Sequence, residues 1–509
     1  GNITVYPEFG PDTLGLSRQE EIIDGIKVIY HRKTFKPKIL PQNNYFRHGD
    51  LYNQKKYFKT VNRFNSLGAW RLVNIEPLVR KNQDTADFTI RLTPAKKYSF
   101  TANVEGSSNR SAVSGNLLGI GVNASWQNRN FAKAANTSIT NIRFGIEISD
   151  KKFIQTQQFV LSHNIYFPKP IPNAKWIPDK LRDNWRTVFS FNAGNTERKD
   201  LFNLTTVNGS WGYEFQSKNT LFSLRLPNIE YSSLTPRAGL DTLFKYNPAL
   251  KNIFTDGLIS SVIGGVTINS EKKNVIKIFR ANAEISGLVA GLISNKFLDD
   301  NLYRFFKADV EIIRKISFAK SALVLRLFTG VGYEFGSTAN PDKRNNLPFF
   351  KQYFAGGPNS MRAWGLRKLG PGSSVKEFSG VGSNPERYGD VQLEGNIEYR
   401  FPFIKPFGIK IDGALFTDFG NIWFLKEEAN PLEPESVFKF SKLGKDLAVG
   451  IGMGFRVDFS FFVVRLDYSY KAKDPSPSPS NIGIQNKWFG YKPFKGDQFQ
   501  LGISYPFIL

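Results

Sequence analysis

One stretch of the sequence decides the fold of this chain: Val391–Phe401, which reads VQLEGNIEYRF. Its odd positions are apolar or glycine, and its even positions are polar or charged. Alternation with a period of two predicts a β-strand with one apolar and one wet face. A second run, Ile409–Gly420, repeats the pattern more loosely and places Lys410, Asp412 and Asp418 on one face. Such strands are typical of a barrel with water inside and lipid outside.

The composition agrees with a barrel. The chain has 509 residues, of which 41% are hydrophobic. No apolar run reaches the roughly 18 residues that a membrane-spanning helix needs, which leaves a soluble protein or a membrane barrel. Aromatic residues make up 14% of the chain, with 46 Phe and 19 Tyr. This high proportion is expected where rings form girdles at the two bilayer interfaces.

Charge and residue usage argue against several classes of function. The net charge is +24, from 68 Lys and Arg against 44 Asp and Glu. Nucleic-acid binding is therefore considered, but the basic residues are dispersed and form no long tract. We expect no nucleic-acid partner, and instead a basic lumen and basic loops near anionic lipid. Cysteine is absent, so disulfides and thiolate metal sites are excluded.

Histidine is too rare and too scattered for a metal centre or a hydrolase. The chain has only His31, His48 and His163, so we expect no metal and no cofactor. A membrane phospholipase would need Ser, His and a polar orienting residue together. His163 is the only candidate in the barrel, and we interpret it as an ordinary strand residue. The sequence therefore predicts a protein that is not an enzyme.

The chain divides near Pro94 into two domains. We predict an N-terminal extension or linker at residues 1–24 and a small α+β domain at residues 25–94. The chain starts at Gly1 without a signal-like apolar segment, so we expect a mature or trimmed product. Within the small domain, the pattern predicts strands at 25–30, 69–76 and 87–92, and an amphipathic helix at 53–67 that ends at Gly68.

Residues 95–509 predict an all-β transmembrane barrel of about sixteen antiparallel strands. An even number of such strands closes without a free edge, as lipid requires. The connections alternate between short and long, and the longest runs from about 337 to 388. A loop of that length is usually functional, and we expect it to plug the barrel. The strands are expected to begin near Tyr98, Val113, Ser138, Phe153, Trp185, Leu201, Thr220, Gly257, Ile276, Phe305, Ser321, Gly389, Gly408, Asp446, Phe461 and Asp497.

Several segments, taken in order, resemble the BamA/TamA outer-membrane insertase superfamily. Residues 49–52 and 67–75 resemble parts of a POTRA domain, the periplasmic module of that family. The long loop carries a motif similar to the family's Arg-Gly-aromatic loop motif. Residues 389–394 and 416–423 resemble the two strands that follow this loop, and residues 499–507 resemble the aromatic-ended terminal strand. The resemblance covers roughly residues 25–509. The loop motif consists of Gly356, Gly357, Ser360, Arg362 and Trp364.

Two positions depart from the family pattern. Ala363 stands where the family usually has glycine, and Ile508 and Leu509 follow the terminal Phe507. The Gly-Gly-Pro-Asn-Ser form of the motif is similar to the TamA-like branch of Bacteroidetes, whose members are often lipoproteins. Family members usually carry more than one POTRA domain. The sequence predicts one POTRA domain here, so the resemblance leaves open whether upstream modules and a lipid anchor have been lost from this chain.

The resemblance implies that Arg362 folds back into the barrel and pairs with Asp418, supported by Glu398. The strand phase independently points both carboxylates inward. An arginine on a glycine-rich loop can make bidentate bonds to carboxylates and so hold the loop. The alternative interpretation is that this contact only plugs and stiffens the barrel, and both can hold together.

The same resemblance implies a lateral gate at the barrel seam. Strand one, about Tyr98–Glu105 and including Thr101, must pair with the last strand, Asp497–Phe507. The first strand is predicted to be short, and Gly502 weakens the last. A weak seam exposes backbone groups on which an incoming strand can form by β-augmentation, with local thinning of the bilayer. Alternatively, Gly502 only relieves curvature.

The implied function is assembly or translocation of client polypeptides at the outer membrane of a Gram-negative bacterium. The expected partners are outer-membrane lipids, client outer-membrane or secreted proteins, and accessory periplasmic or lipoprotein subunits bound through a periplasmic POTRA domain. The alternative function is a passive pore or a two-partner-type polypeptide secretion channel. Both would use the same barrel.

Overall fold

A computed structural model shows a small N-terminal domain joined to a closed β-barrel. Among the described residues, no helix is both long and apolar enough to span a membrane. The structure describes residues 1–10, 17–111, 115–149, 154–172, 184–241, 256–288, 290–293, 295–335, 347–348, 350–375, 387–427, 434–459, 463–477, 479–492, 494 and 497–503.

The N-terminal domain is a five-stranded mixed sheet covered by helices, an α+β arrangement consistent with a POTRA domain. Its strand order is β2-β3-β1-β5-β4. The helix α2 begins after Asn53, whose side chain accepts a hydrogen bond from the amide of Lys55. It stops before Gly68, which adopts a φ of +67°. The elements are β1 (Ile3–Tyr6), β2 (Gln19–Ile23), β3 (Ile26–Tyr30), α1 (Ile39–Asn43), α2 (Gln54–Ser66), β4 (Trp70–Val79) and β5 (Ala86–Pro94).

The structure differs from the sequence prediction at residues 1–24. The sequence predicts an extension or linker there, but β1 is the central strand of the sheet and β2 is an edge strand. β1 pairs in parallel with both β3 and β5, and its side chains Ile3 and Val5 are buried in the core. A four-residue strand is too short for its alternation to stand out. Its partner β5 is also distant in sequence, so local pattern alone does not reveal it.

The second domain is a barrel of sixteen antiparallel strands, as predicted. The first strand of the barrel pairs with the last, so the sheet closes. The strands are β6 (Tyr98–Ser111), β7 (Gly115–Phe131), β8 (Asn136–Ser149), β9 (Thr156–Phe167), β10 (Trp185–Arg198), β11 (Phe202–Ser217), β12 (Thr220–Pro236), β13 (Gly257–Lys272), β14 (Val275–Ser286), β15 (Phe305–Ser317), β16 (Ala322–Glu334), β17 (Val391–Ile404), β18 (Lys410–Trp423), β19 (Ala448–Asp458), β20 (Val463–Lys473) and β21 (Asp497–Ile503).

Short helices lie in the connections between barrel strands. Those α-helices whose bounds lie within the described residues are α3 (Lys296–Asn301) and α4 (Leu443–Asp446). In the same described part, 3-10 turns occur at Ala290–Leu292, Pro406–Gly408, Pro434–Ser436, Phe440–Lys442 and Pro479–Ile484.

The barrel wall is polar on the inside and apolar on the outside. On β17, Glu394, Asn396 and Glu398 are buried, whereas the intervening Ile397 and Tyr399 are 43% and 42% exposed. A water-soluble protein shows the opposite distribution. The apolar outer face is the arrangement that a lipid environment requires.

The two domains contact each other at the turn between β7 and β8. The amide of Lys36 donates to the carbonyl of Lys133 over 2.8 Å, and Asn130 Nδ2 donates to the carbonyl of Thr34 over 3.0 Å. Ala135 from this turn is buried in the core of the N-terminal domain. This turn of the barrel is therefore part of the packing of the N-terminal domain.

Candidate functional site

The described central part of the long loop between β16 and β17, residues 350–375, folds into the barrel lumen. Its tip turns at Gly356 and Gly357, whose φ angles are +106° and +99°. A Cβ on Gly356 would lie 2.2 Å from the carbonyl oxygen of Gly365, so only glycine fits this crossing. The amide of Gly357 donates to the carbonyl of Trp364 over 2.9 Å and closes the tip. The tip thereby presents the side chain of Arg362 to the barrel wall.

Arg362 is fully buried and makes a bidentate contact with Asp418. Its Nε donates to Asp418 Oδ2 over 2.8 Å and its Nη2 donates to Asp418 Oδ1 over 2.7 Å. The backbone amide of Arg362 also donates to Asp418 Oδ2, over 3.0 Å. Its Nη1 donates to Glu398 Oε2 over 2.5 Å, and its guanidinium lies 3.4 Å above the ring of Phe416. The structure thus brings together Arg362, Asp418 and Glu398, the three residues that the sequence analysis predicted to be in contact.

A second layer of charges surrounds this contact, and the sequence prediction does not include it. Arg456 Nη1 donates to Asp467 Oδ1 over 2.6 Å, and its Nη2 lies 3.1 Å from Glu398 Oε2. Arg400 Nε donates to Glu398 Oε1 over 2.8 Å. Arg465 Nε lies 3.0 Å from Asp467 Oδ2. The alternation of β17 points Arg400 inward, and that of β19 and β20 does the same for the other charged residues of this layer, so the phase of those strands could have identified them.

Ser360 contacts a different part of the wall. Its hydroxyl donates to Glu394 Oε2 over 2.5 Å and accepts from the amide of Gly356 over 3.2 Å. Glu394 also pairs with Arg326, whose Nη1 donates to Glu394 Oε1 over 2.5 Å. Arg326 in turn donates from Nε to Glu311 over 2.6 Å. The loop motif is therefore tied to β15, β16 and β17 as well as to β18.

Trp364 completes the tip through packing. Its side chain is buried with Met361, Ala363 and Leu369 against Ile422 and Ala448 of the wall. On the same wall, Gly450 of β19 makes room for the loop, since a Cβ there would lie 2.7 Å from the Cβ of Ala363. The loop therefore fits the wall closely at Ala363.

The same loop has a second anchor near its start. Lys351 Nζ lies 3.1 Å from Glu230 Oε2 on β12 and 3.2 Å from Glu284 Oε2 on β14. Lys307 on β15 donates to the carbonyl of Lys351 over 2.8 Å. In the barrel order β12 stands third and β20 eleventh, half a circumference apart. The loop is therefore held at two distant parts of the wall.

The last strand is tied to the loop tip from inside the barrel. Gln500 is buried, and its Nε2 donates to the carbonyl of Arg362 over 3.3 Å and to that of Trp364 over 3.2 Å. Its neighbour Gly502 faces Arg465, and a Cβ there would lie 2.8 Å from Arg465 Nη2. Arg465 can thus reach across and donate to the carbonyl of Pro358 over 2.6 Å.

The seam differs from the sequence prediction in its register. β6 spans fourteen residues and is not short, whereas the described part of β21 spans seven. Leu501 pairs with Ser108, which lies seven residues beyond Thr101 on β6, so Thr101 does not lie near Leu501. Within the described residues this is the one register pair at the seam, against seven pairs between β20 and β21. Phe507 lies outside the described residues.

Register between strands cannot be deduced from alternation. Shifting one strand against another by two residues preserves which side chains face the lumen. Shifts by an even number of residues therefore stay open, but Thr101 and Ser108 are seven residues apart and lie on opposite faces of β6, so the strand phase already argues against Thr101 opposite Leu501. The predicted strand one ends before a glycine, Gly106, which the structure accommodates inside β6.

The structure places His163 on β9, where its Nδ1 lies 2.9 Å from the hydroxyl of Thr140 on β8. In the described part of the chain, no group of three or more His, Asp or Glu residues is arranged to hold a metal ion.

Residues 286–507 match the family model of the Omp85 superfamily domain. No curated protein matches the chain. Among solved structures, the chain resembles BamA from Haemophilus ducreyi lacking POTRA domains 1-3, with a TM-score of 0.60, 13% identity, and coverage of 96% of this chain and 89% of that one. It also resembles CdiB from Acinetobacter baumannii, with a TM-score of 0.53, 11% identity, and coverage of 96% and 78%.

CdiB from Escherichia coli is similar as well, with a TM-score of 0.51, 9% identity, and coverage of 99% of this chain and 90% of that one. At these identities the likeness concerns the fold. The relation to a family rests on the Omp85 superfamily domain matched at residues 286–507. The TamA-like branch of Bacteroidetes stays a prediction.

Proposed function

We propose that this protein assembles client polypeptides into, or exports them through, the outer membrane of a Gram-negative bacterium, without covalent chemistry. The apolar exterior of the barrel, the charged lumen and the matched Omp85 superfamily domain support this proposal. The N-terminal domain would act in the periplasm, where it would receive clients and accessory subunits. The sixteen-stranded barrel would provide the route into the bilayer.

The observation that carries the proposal is the unequal pairing of β21. On one side β21 pairs with β20 over seven described residues, and on the other it shares one described pair with β6. Backbone groups left unpaired at a strand edge are a template for another strand. A client strand could therefore add to this edge by β-augmentation.

The plug loop would control that edge through Gln500. The two hydrogen bonds from Gln500 to the carbonyls of Arg362 and Trp364 hold β21 against the loop tip. The charges around Arg362 fix the position of those carbonyls. Withdrawal of the loop would release β21 from inside, and the seam could then open laterally.

A disulfide across the seam tests this mechanism. The chain has no cysteine, so introduced pairs are the only ones that can form. Ser108→Cys with Leu501→Cys joins the paired positions of β6 and β21, and directly opposed residues of an antiparallel pair lie within disulfide range. Oxidation is expected to block insertion of client barrels into liposomes, and reduction is expected to restore it.

The matched control joins β6 to its other neighbour. Thr101→Cys with Ser125→Cys links paired positions of β6 and β7, away from the seam. Oxidation of this variant should leave insertion unchanged. If the seam-locked protein inserts clients at the normal rate, lateral opening is removed from the mechanism, and the lumen or bilayer thinning remains as the route.

A secretion channel through the lumen is the second candidate, and one feature favours it. A row of hydrogen-bonded polar side chains crosses the inner wall away from the loop tip. Asn192 donates to Asn208 over 3.2 Å, Asn208 to Asn228 over 2.8 Å, and Asn228 to Ser261 over 2.9 Å. Uncharged amides can exchange hydrogen bonds with a passing backbone.

Crosslinking separates the two routes. A photoreactive residue at Asn208 would capture a client that passes through the lumen, whereas one at Leu501 would capture a client strand at the seam. Crosslinks at position 501 alone support insertion. Crosslinks at position 208 alone support the channel and contradict lateral insertion.

A further inference from the structure

A pocket of about 460 Å³ lies where the N-terminal domain meets the barrel. We call it the junction pocket. Its walls come from the start of the chain, the segment after β3, the start of β4, the end of β5 with the linker that follows it, and the end of β7. It is lined by Glu8, Phe9, Gly10, His31, Arg32, Thr34, Phe35, Ala69, Arg71, Thr93, Pro94, Ala95, Lys97, Arg129 and Asn130.

The junction pocket is strongly cationic. Arg32, Arg71, Lys97 and Arg129 line it, against the single carboxylate of Glu8. Within the part of the chain that the structure describes, these four cations form no ion pair with a carboxylate. Their charge is therefore available to a ligand.

The carboxylate of Glu8 already accepts hydrogen bonds from backbone amides. Its Oε2 accepts from the amide of Arg32 over 3.0 Å, and its Oε1 accepts from the amide of Thr34 over 3.2 Å. The hydroxyl of Thr34 also donates to Oε1. The carboxylate thus holds the turn after β3 in place and leaves the arginine side chains for other partners.

The pocket also has apolar surface. Phe35 is buried and stacks on Trp70 with 4.6 Å between ring centroids, and Ala69 is buried beside it. Phe9 is 40% exposed. A ligand that matches the junction pocket therefore combines a negative charge with an apolar part.

The pocket lies at the level of the membrane surface. Lys97, in its wall, is followed by Tyr98, the first residue of the barrel. Tyr98 stacks on Trp126 with 5.7 Å between centroids, and the two side chains are 50% and 52% exposed on the barrel exterior. Outward-facing aromatic residues at the end of a barrel strand mark the interface between acyl chains and headgroups.

We propose that the junction pocket binds the headgroup of an anionic phospholipid from the adjacent leaflet. The guanidinium groups of Arg32, Arg71 and Arg129 suit phosphate oxygens, since their planar donors match an oxyanion in a bidentate manner. Lys97 adds a point charge at the membrane edge, and Phe9 contacts the glycerol end of the lipid. The bound lipid joins the N-terminal domain to the barrel rim and sets the orientation of the domain beneath the seam.

Native mass spectrometry of the purified full chain, titrated with phosphatidylglycerol or phosphatidylcholine, tests the proposal. We expect one tightly held phosphatidylglycerol and weaker binding of phosphatidylcholine. Arg32→Glu with Arg71→Glu should reduce the affinity for phosphatidylglycerol at least tenfold, because each basic residue near an anionic surface contributes about 1 kcal/mol. The affinity should also fall as salt is raised.

The control variant carries the same change in charge at a distance from the pocket. Lys55→Glu with Lys81→Glu alters two exposed positions on α2 and the β4–β5 turn and should bind the lipid as the parent does. Equal losses in both double variants overturn the site. If the arginine double variant does not fold, Lys97→Gln decides: a severalfold loss supports the site, and an unchanged affinity overturns it.

Competition identifies the source of the phosphate. Glycerol 1-phosphate carries the same charged group without acyl chains. If the ligand is a membrane lipid, glycerol 1-phosphate should displace phosphatidylglycerol only weakly. Displacement at concentrations similar to those of the lipid would show that the pocket takes a soluble anion and would overturn the assignment to lipid.

Discussion

The protein contains two Arg–Asp pairs with nearly the same geometry in opposite environments. On the N-terminal domain, Arg80 donates from Nε and Nη2 to the two oxygens of Asp87 over 2.9 and 2.8 Å. In the lumen, Arg362 makes the same fork to Asp418 over 2.8 and 2.7 Å. The first pair is 38% and 33% exposed, whereas the second is 0% and 1% exposed.

The environment of an Arg–Asp pair, and not its bond geometry, therefore decides how much the pair contributes to stability. An exposed pair replaces good hydration by a contact of similar strength, so its net contribution is small. A buried pair has lost its hydration, so either partner left alone becomes a desolvated charge. The lumen pair is therefore expected to be hard to break once formed, and suited to holding the plug loop.

Arg362→Ala is expected to lower stability more than any other substitution at the two pairs. It leaves Asp418 with Asn396 as a side-chain donor and should destabilise the loop-bound barrel by about 3–5 kcal/mol. Arg80→Ala should cost much less, because an exposed ion pair contributes little to stability. Hydrogen exchange of strand amides measures both, since it reports each domain separately.

Lys368→Ala, on the same loop, is the control for Arg362→Ala and should have a smaller effect on barrel stability and on client insertion. If Arg362→Ala and Lys368→Ala are alike and both negligible, Arg362 has no special role.

Arg362→Lys keeps the positive charge and removes the two parallel N–H donors that contact Asp418. An ammonium cannot contact Asp418 with two parallel donors, reach Glu398 and stack on Phe416 together. We expect it to recover less than half of the loss seen with alanine. Arg80→Lys should be close to neutral in the exposed pair. Full recovery of stability by Arg362→Lys would mean that charge alone holds the loop.

Lys351→Met addresses the second anchor, where the expected effect is intermediate. Removal of the ammonium leaves Glu230 and Glu284 facing each other without their shared cation. We expect a loss of about 1–3 kcal/mol and faster amide exchange near Tyr353, while the tip around Arg362 stays protected. Glu284→Gln in the same chain should restore part of the loss by removing one of the two negative charges.

The exposed pair also predicts a small dependence on pH. The side-chain hydrogen bond from Arg80, assisted by the amide of Asn2, lowers the pKa of Asp87 below its ordinary value of 3.8. The contribution of this pair is therefore complete above pH 3.8 and is lost as the pH falls through the lower pKa of the folded state. Asp87→Asn should lack this pH-dependent contribution when the protein is unfolded by acid. An identical acid profile for the two proteins would contradict it.

Strand phase alone identifies part of the lumen cluster. Alternation is local, because successive side chains of a strand point to opposite faces whatever the strand pairs with. The inward phase of Glu398 and Asp418 therefore follows from the sequence. The same logic applied to β19 and β20 would have added Arg456, Arg465 and Asp467.

By itself, then, the sequence determined a sixteen-stranded barrel, the inward face of each clear strand, and the loop that carries Arg362. Only the tertiary structure decided that Ser108 opposes Leu501 at the seam, that Gln500 reaches the loop tip, and that Ile3–Tyr6 completes the first sheet. This division follows from the sequence separation of the residues that interact. Periodicity records how each strand divides its two faces between water and lipid, whereas register and sheet order depend on contacts between residues far apart in the chain.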